Sequence, residues 1–437
     1  MEPLQETAFP ADPATLFTPL GPFEPEPTIA LALSGGADSM ALALLAQQWL
    51  IPLGGRLVAL TVDHALRPES RREAEQVGAW MAAHGITHHI LTPPHTPAGN
   101  NLMQAARQWR YHALSEWCRT HDVLHCLVAH HADDQLETAI IQQQRGDTAD
   151  GTAGMSALRL YRGVRFLRPL LPYRKALLRD YLVARQVSWV DDPTNSDSRY
   201  ARTQVRQQLH PTEAAGGLGL LAAQALARQQ READGARTAM QLVQLHPAGY
   251  AQLQHAAWLA LVEPLRQQIL ADVITTVGGH IHRPRHHETA WLAQAMAAKK
   301  GTQTLGRCLI SWANGLATIA REPARVEPPI TLSGEGVVLW DQRFRVHYRL
   351  HQPLTLGALG SHGASLLGRK DVPHATPALW HLDALHAVPH IMPYPESSTI
   401  GEVRLGFAPA KPLAARSFWW LNSSILLKRT QPSAANF

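Results

Sequence analysis

The residues richest in chemistry are Ser34-Gly35-Gly36-Ala37-Asp38-Ser39. Adjacent glycines let a backbone turn sharply and aim several N–H groups at one ligand oxygen. Two hydroxyls and a carboxylate stand beside them, and a helix starting here would add the positive end of its dipole. That is a phosphate cradle; an ordinary strand–turn–helix corner would need only the glycines. No Gly-Lys-Ser/Thr follows, as in a Walker A loop, and the Gly-x-Gly-x-x-Gly spacing of dinucleotide folds is absent. Two more polar clusters compete for attention. Asp63-His64 ends an apolar run, where it either caps a strand or touches a nucleotide. His130-His131-Ala132-Asp133-Asp134-Gln135-Leu136-Glu137 sets two histidines against three carboxylates, suited to acid–base work or, as a rival, to a transition metal. The absence of a second His/Asp cluster of this quality weighs against the metal.

The elements that must position these clusters follow from periodicity. Apolar runs at 29–33, Arg56–Val62, 86–91 and 124–129 read as strands, and helical spacing resumes after each of them. Such alternation predicts an α/β, Rossmann-like domain with a parallel sheet and helices on both faces. Ligands of such sheets bind beyond the carboxyl ends of the strands, where all three polar clusters fall. Residues 1–26, with six prolines, read as an extended lead-in, and 146–154 as a loop. Arg159, Arg162, Arg165, Arg168, Arg174, Lys175, Arg179 and Arg185 oppose only Asp180, a basic stretch that is either a solvated face or a nucleic-acid surface. Glycines and Pro211 at 211–219 suggest a boundary. A mainly helical region follows, and then a hairpin of 304–312 and 316–321 around Asn314-Gly315. The expected domains are 27–212, 213–325 and a small β-rich 326–437. Phe418-Trp419-Trp420-Leu421 reads as core rather than a base-stacking platform.

Composition bounds the rest. The 437 residues allow two or three domains, and 45% hydrophobic with 17% charged residues suits a protein with substantial cores. Three widely spaced cysteines, with no Cys-x-x-Cys, suggest a reducing compartment, the cytoplasm. The N-terminus is unlike a signal peptide, and no apolar run approaches the ~18 residues of a membrane helix. A net charge of +5 is compatible with a nucleic-acid partner.

The loop resembles the signature of the PP-loop ATP pyrophosphatases, which cleave ATP between its α and β phosphates. Other stretches narrow the resemblance. Ala105-Ala106-Arg107-Gln108-Trp109-Arg110-Tyr111 is similar to an Ala-Arg-x-x-Arg-Tyr helix, and 129–138 to a His-x-x-Asp-Asp-Gln-x-Glu-Thr element. Arg168-Pro169-Leu170-Leu171 and Asp191-Asp192-Pro193-Thr194-Asn195 match as well. Together they resemble the bacterial tRNA(Ile)-lysidine synthase family, well over about 28–210 and more loosely through the hairpin. The resemblance implies ATP and Mg²⁺, free L-lysine, and a tRNA(Ile) with a CAU anticodon as partners, with a homodimer left open. It implies ATP contacts from Ser34, Gly35, Gly36, Ala37, Asp38, Ser39, Asp63 and His64, with Asp38 on the metal. It further implies Asp38, Arg110, Asp134 and Glu137 as catalytic, His131 with Asp134 and Glu137 around the lysine, and Arg168, Arg174, Lys175, Arg202 and Arg206 on the tRNA. One departure stands out: Thr203 occupies the place of the family's usual asparagine. A tRNA thiolase of the same superfamily would need cluster-binding cysteines. A synthetase with a glutaminase domain would need more than 26 leading residues.

Overall fold

The computed structural model describes residues 12–63, 70–92, 102–144, 152–190, 204–205, 211–280, 282–369, 371–382, 384–392, 400–413 and 420–421. His64, Arg202, Thr203, Arg206 and the Asp191–Asn195 stretch lie outside them. Two compact units emerge, Met1–Glu232 with Ser417–Phe437, and Ala233–Arg416.

The first unit is built on β1 (Thr28–Ala32), whose Ile29, Ala30 and Leu31 are fully buried, as a central parallel strand requires. Helix α1 (Ala14–Phe17) precedes it, and α2 (Ala37–Leu50) follows directly. Then come β2 (Arg56–Val62), α3 (Ser70–Ala83), β3 (Thr87–Leu91), α4 (Leu102–Thr120), β4 (His125–Leu127) and α5 (Ala132–Gln144). Next are β5 (Leu158–Tyr161), β6 (Val164–Leu167) and α6 (Lys175–Val183). The sheet order is β3-β2-β1-β4-β6-β5. Every pair is parallel except β5–β6, an antiparallel edge that the expected all-parallel sheet lacks. Strand order reverses between β1 and β4, so the loop after β1 opens at the switch point where α/β sheets hold ligands. Helix α2 is apolar on nearly all sides and is buried accordingly.

Residues 14–20 depart from the extended reading. Leu16, Phe17 and Leu20 are buried in the main core, and Phe17 stacks on Trp49 of α2 at 4.5 Å. The Arg165 guanidinium fastens the segment by donating to the carbonyls of Leu20 and Pro22, both at 2.7 Å. Pro211–Gly219 is likewise no break: it forms the first turns of α7 (Pro211–Leu242), which runs across the division between the units. An added Cβ at Gly217 would lie 3.1 Å from Leu136 of α5, so a missing side chain there permits a close helix approach rather than a turn. Leu421 joins the main core, and Trp420 packs against Ala153 and Ala225.

The second unit carries two antiparallel sheets. In the first, β7 (Val243–His246), β8 (Tyr250–Gln254), β9 (Gly301–Leu305), β10 (Cys308–Ala313) and β11 (Leu316–Arg321) run in the order β7-β8-β11-β10-β9. Helices α8 (His255–Leu259), α9 (Glu263–Gly278) and α10 (His286–Ala295) pack with it around Trp258, Ile274 and Ile310. Asn314 and Gly315 both take positive φ, as a two-residue hairpin turn demands. The second sheet joins β12 (Ile330–Trp340), β13 (Phe344–Ala358), β14 (Pro377–His381) and β15 (Ala384–Ala387), with β16 (Gly401–Phe407) on β13. Helix α11 (Gly360–Leu367) follows β13. Buried Asp341 binds both sheets: Arg321 of β11 donates to its Oδ1 at 2.8 Å, and Arg343 reaches its Oδ2 and the Gly249 and Val277 carbonyls.

Candidate active site

The loop is held by its own hydroxyls. The Ser39 hydroxyl donates to the Gly36 carbonyl at 2.9 Å and accepts the Ser34 N–H at 3.2 Å, while the two serine oxygens lie 3.1 Å apart. Gly36 caps α2, so the N–H groups of Ala37 and Asp38 have no acceptor within the helix and none among the described residues. Gly35 has φ +80°, and a Cβ there would meet Val77 Cγ2 at 2.5 Å. Its carbonyl accepts the Val190 N–H at 2.9 Å, tying the loop to a residue distant in sequence. Beneath it, Thr61 donates to the Leu33 carbonyl at 2.9 Å, and His88 Nε2 lies 2.8 Å from the same hydroxyl. At the end of β2, Asp63 is buried and accepts the Ser70 hydroxyl at 2.7 Å.

His131 is the meeting point of the site. It is 2% exposed and stands just before α5. Its Nε2 lies 3.6 Å from Asp38 Oδ2 and from Asp134 Oδ2, and its Nδ1 lies 3.5 Å from Asp133 Oδ2. Burial alone would lower its pKa; Asp133, Asp134 and Asp38 together outweigh burial and raise it. Asp133 is half-buried. It is nevertheless held far below the usual carboxylate range by His131, the Lys175 N–H at 2.8 Å and Arg174 Nε at 2.8 Å. Asp134 also accepts the His131 N–H at 3.1 Å, which caps α5. Glu137, one turn further, is 1% exposed. Gln135 holds Met155 through both amide atoms, at 3.1 and 2.5 Å. Among the described residues, no group of three or more His, Cys, Asp or Glu is arranged to hold a metal ion.

The structure brings Asp38, His131, Asp133, Asp134 and Lys175 together. Sequence spacing gave no sign of the last: Lys175 opens α6, and its Nζ lies 3.8 Å from Asp38 Oδ2. The basic stretch, expected as one surface, divides by role. Arg168 is 4% exposed and donates to the Ser156 carbonyl at 2.6 Å, His130 Nδ1 at 3.2 Å and the Tyr111 hydroxyl at 3.4 Å. With its fork committed inside the domain, it holds the His130 loop in place. Arg174 is tied to Asp133, Arg165 to the lead-in, and Arg162 to Glu116. Arg107 and Arg110 lie exposed on α4, and with Arg159 they have no carboxylate partner among the described residues. Tyr111 lies among them, beneath Arg159 at 4.9 Å and Arg107 at 5.4 Å. Burial pushes its phenol pKa up, but Arg168, Arg107 and Arg159 lower it overall. The spacing of Arg107 and Tyr111 on α4 gave no sign of the contributions from Arg159 and Arg168.

Comparison with known proteins agrees with this geometry. Residues 10–213 match the PP-loop domain model. The tRNA(Ile)-lysidine synthase of Orientia tsutsugamushi is 29% identical over 89% of this chain and 95% of its own. That of Mesorhizobium japonicum is 32% identical over 88% and 87%, and that of Ruegeria pomeroyi 32% over 78% and 82%. With a phosphate cradle at the switch point and relatives matched along most of their length, the chain belongs to the tRNA(Ile)-lysidine synthase family, ligases built on an ATP-binding PP-loop domain.

Proposed function

We propose that this chain joins free L-lysine to C2 of the wobble cytidine in tRNA(Ile) bearing a CAU anticodon, at the expense of ATP. The observation that carries the reading is the convergence on buried His131 of Asp38, from the phosphate-loop helix, with Asp133 and Asp134 of α5. An anion cradle thus adjoins a carboxylate cluster able to receive an ammonium group. In the first step the C2 oxygen of cytidine attacks the α-phosphate, the bond from that phosphorus to the bridging oxygen breaks, and pyrophosphate leaves. The unpaired N–H groups of Ala37 and Asp38 stabilise the charge that develops on it. In the second step the lysine amine attacks C2, sheds a proton, and AMP departs with the former C2 oxygen. Asp134 and Glu137 orient the amine and assist proton loss, with His131 fixing the Asp134 carboxylate.

Mg²⁺ fits this site, because Asp38 Oδ1 is buried without a hydrogen-bond partner. One carboxylate plus substrate phosphates is that ion's common protein environment. When bound, it would screen charge on the leaving phosphates. Exposed Arg110 and Arg107 suit phosphates of the anticodon loop, and the family resemblance implies the same partner for Arg202 and Arg206. Cys118, Cys126 and Cys308 are free and buried, which supports a reducing, cytoplasmic setting, and no helix among the described residues is long and apolar enough to cross a membrane.

The test is incubation with ATP, Mg²⁺, radiolabelled lysine and a CAU-anticodon tRNA(Ile) transcript. Label should enter RNA in step with AMP and pyrophosphate. ADP as the nucleotide product, or AMP formation indifferent to tRNA, would overturn the reading.

A further inference from the structure

The geometry points to Lys175 as the residue that grips the β- and γ-phosphates of ATP and the pyrophosphate they become. A PP-loop carries no lysine of its own in this chain, yet the fold brings one to it. The Lys175 backbone N–H is anchored on Asp133 Oδ2 at 2.8 Å, so the start of α6 is fixed independently of the side chain. Its Nζ then reaches to 3.8 Å from Asp38 Oδ2, one residue into the loop helix.

The contrast with its neighbour decides the role. Arg174 is committed, with Nε 2.8 Å from Asp133 Oδ1. Lys175 is not: 3.8 Å is a charge contact beyond hydrogen-bond reach, and its ammonium donates to no acceptor among the described residues. The side chain is only 26% exposed. A largely enclosed ammonium with three unused donors is an unfavourable arrangement by itself and a favourable one once an anion enters. Asp38 cannot be its sole purpose, since His131 already stands beside the same oxygen. The anion the loop is shaped for is phosphate, and a compact point charge suits the tumbling oxygens of a leaving pyrophosphate better than a planar fork would. Lys175 therefore belongs to the nucleotide, and the basic residues facing RNA lie elsewhere.

This inference rests on the ATP-dependent reading above. Its test is equilibrium binding of ATP, inorganic pyrophosphate and AMP to the full chain, with Lys175→Ala, Lys175→Arg and Lys175→Met. Loss of one charge-assisted contact should weaken ATP and pyrophosphate about ten- to hundredfold in the alanine variant and leave AMP within about twofold. Lys175→Arg, which keeps the charge but not its compact shape, should restore part of the loss. Lys175→Met keeps the apolar stem and should behave like alanine if the latter melts early. Equal weakening of AMP would overturn the proposal in favour of a prop for Asp38. Unchanged ATP and pyrophosphate with reduced tRNA affinity would overturn it in favour of an RNA contact. Wild-type protein that binds no ATP would instead strike the site reading itself.

Discussion

Replacing Gly35 by alanine probes the loop and the packing that shapes it. Two costs should arise, and the structure separates them. A non-glycine residue at φ +80° costs about 1–2 kcal/mol in left-handed backbone strain. The added methyl also meets Val77 Cγ2 at 2.5 Å, inside van der Waals contact, and relieving that overlap in a packed core costs about 1–3 kcal/mol. Gly35→Ala should therefore destabilise the chain by roughly 2–5 kcal/mol in denaturant titration and abolish ATP binding with the loop displaced. Val77→Ala removes the obstructing methyls. In that background the same glycine substitution should cost only the backbone share, giving a coupling of about 1–3 kcal/mol between the sites. ATP binding should stay impaired, because strain at Gly35 persists. Strict additivity of the two substitutions would refute the contact and, with it, the account of why glycine is required.

Other outcomes follow from the same geometry. Asp38→Asn should keep the melting temperature and abolish AMP and pyrophosphate formation, read by nucleotide chromatography; turnover near wild type would remove Asp38 from the metal. Glu137→Gln should slow lysine transfer about ten- to hundredfold and raise the KM for lysine while pyrophosphate release continues, since one charge-assisted hydrogen bond to ammonium is worth about 1.5–3 kcal/mol. Arg168→Lys, which cannot satisfy all three partners of the buried fork, should cost on the order of 3 kcal/mol of stability. Stability should also fall with acid at His125. Burial lowers its pKa despite Glu24, and Arg165 donates to its Nδ1, which leaves Nε2–H for Glu24 Oε2 at 2.6 Å. The unfolded chain takes up that proton near pH 6.5 and the folded chain resists it, so the contribution is present above that value and lost below it. His125→Gln should flatten this limb of the pH–stability curve.

How much of this was legible depends on range. The strand Arg56–Val62 and the helix after the loop are local patterns of burial, and the structure reproduces them closely. The His131 cluster was visible as composition, because its capping turn and three of its groups sit within four residues. The Lys175–Asp38 approach was not, since only the packing of α6 against α2, far apart in sequence, creates it. Position misled for Arg168: it reads as one more surface cation, yet its partners are supplied by α4, the His130 loop and the segment just before β5. The lead-in was misread because proline content masked three residues, Leu16, Phe17 and Leu20, that the main core absorbs. In α7, tertiary contact overrode glycine's low helix propensity. The β7–β8 hairpin is too short to stand out from the helices around it.

The central claim is that the loop and the His131 carboxylates form one site that activates cytidine and then delivers lysine to it. Its most direct measurement is nucleoside mass analysis of CAU-anticodon tRNA(Ile) after reaction with ATP, Mg²⁺ and lysine. The account predicts a mass gain of one lysine less water, confined to the wobble cytidine and matched by one AMP per modified tRNA. An unmodified wobble cytidine under conditions where ATP is bound, or lysine recovered at another nucleotide, would contradict it.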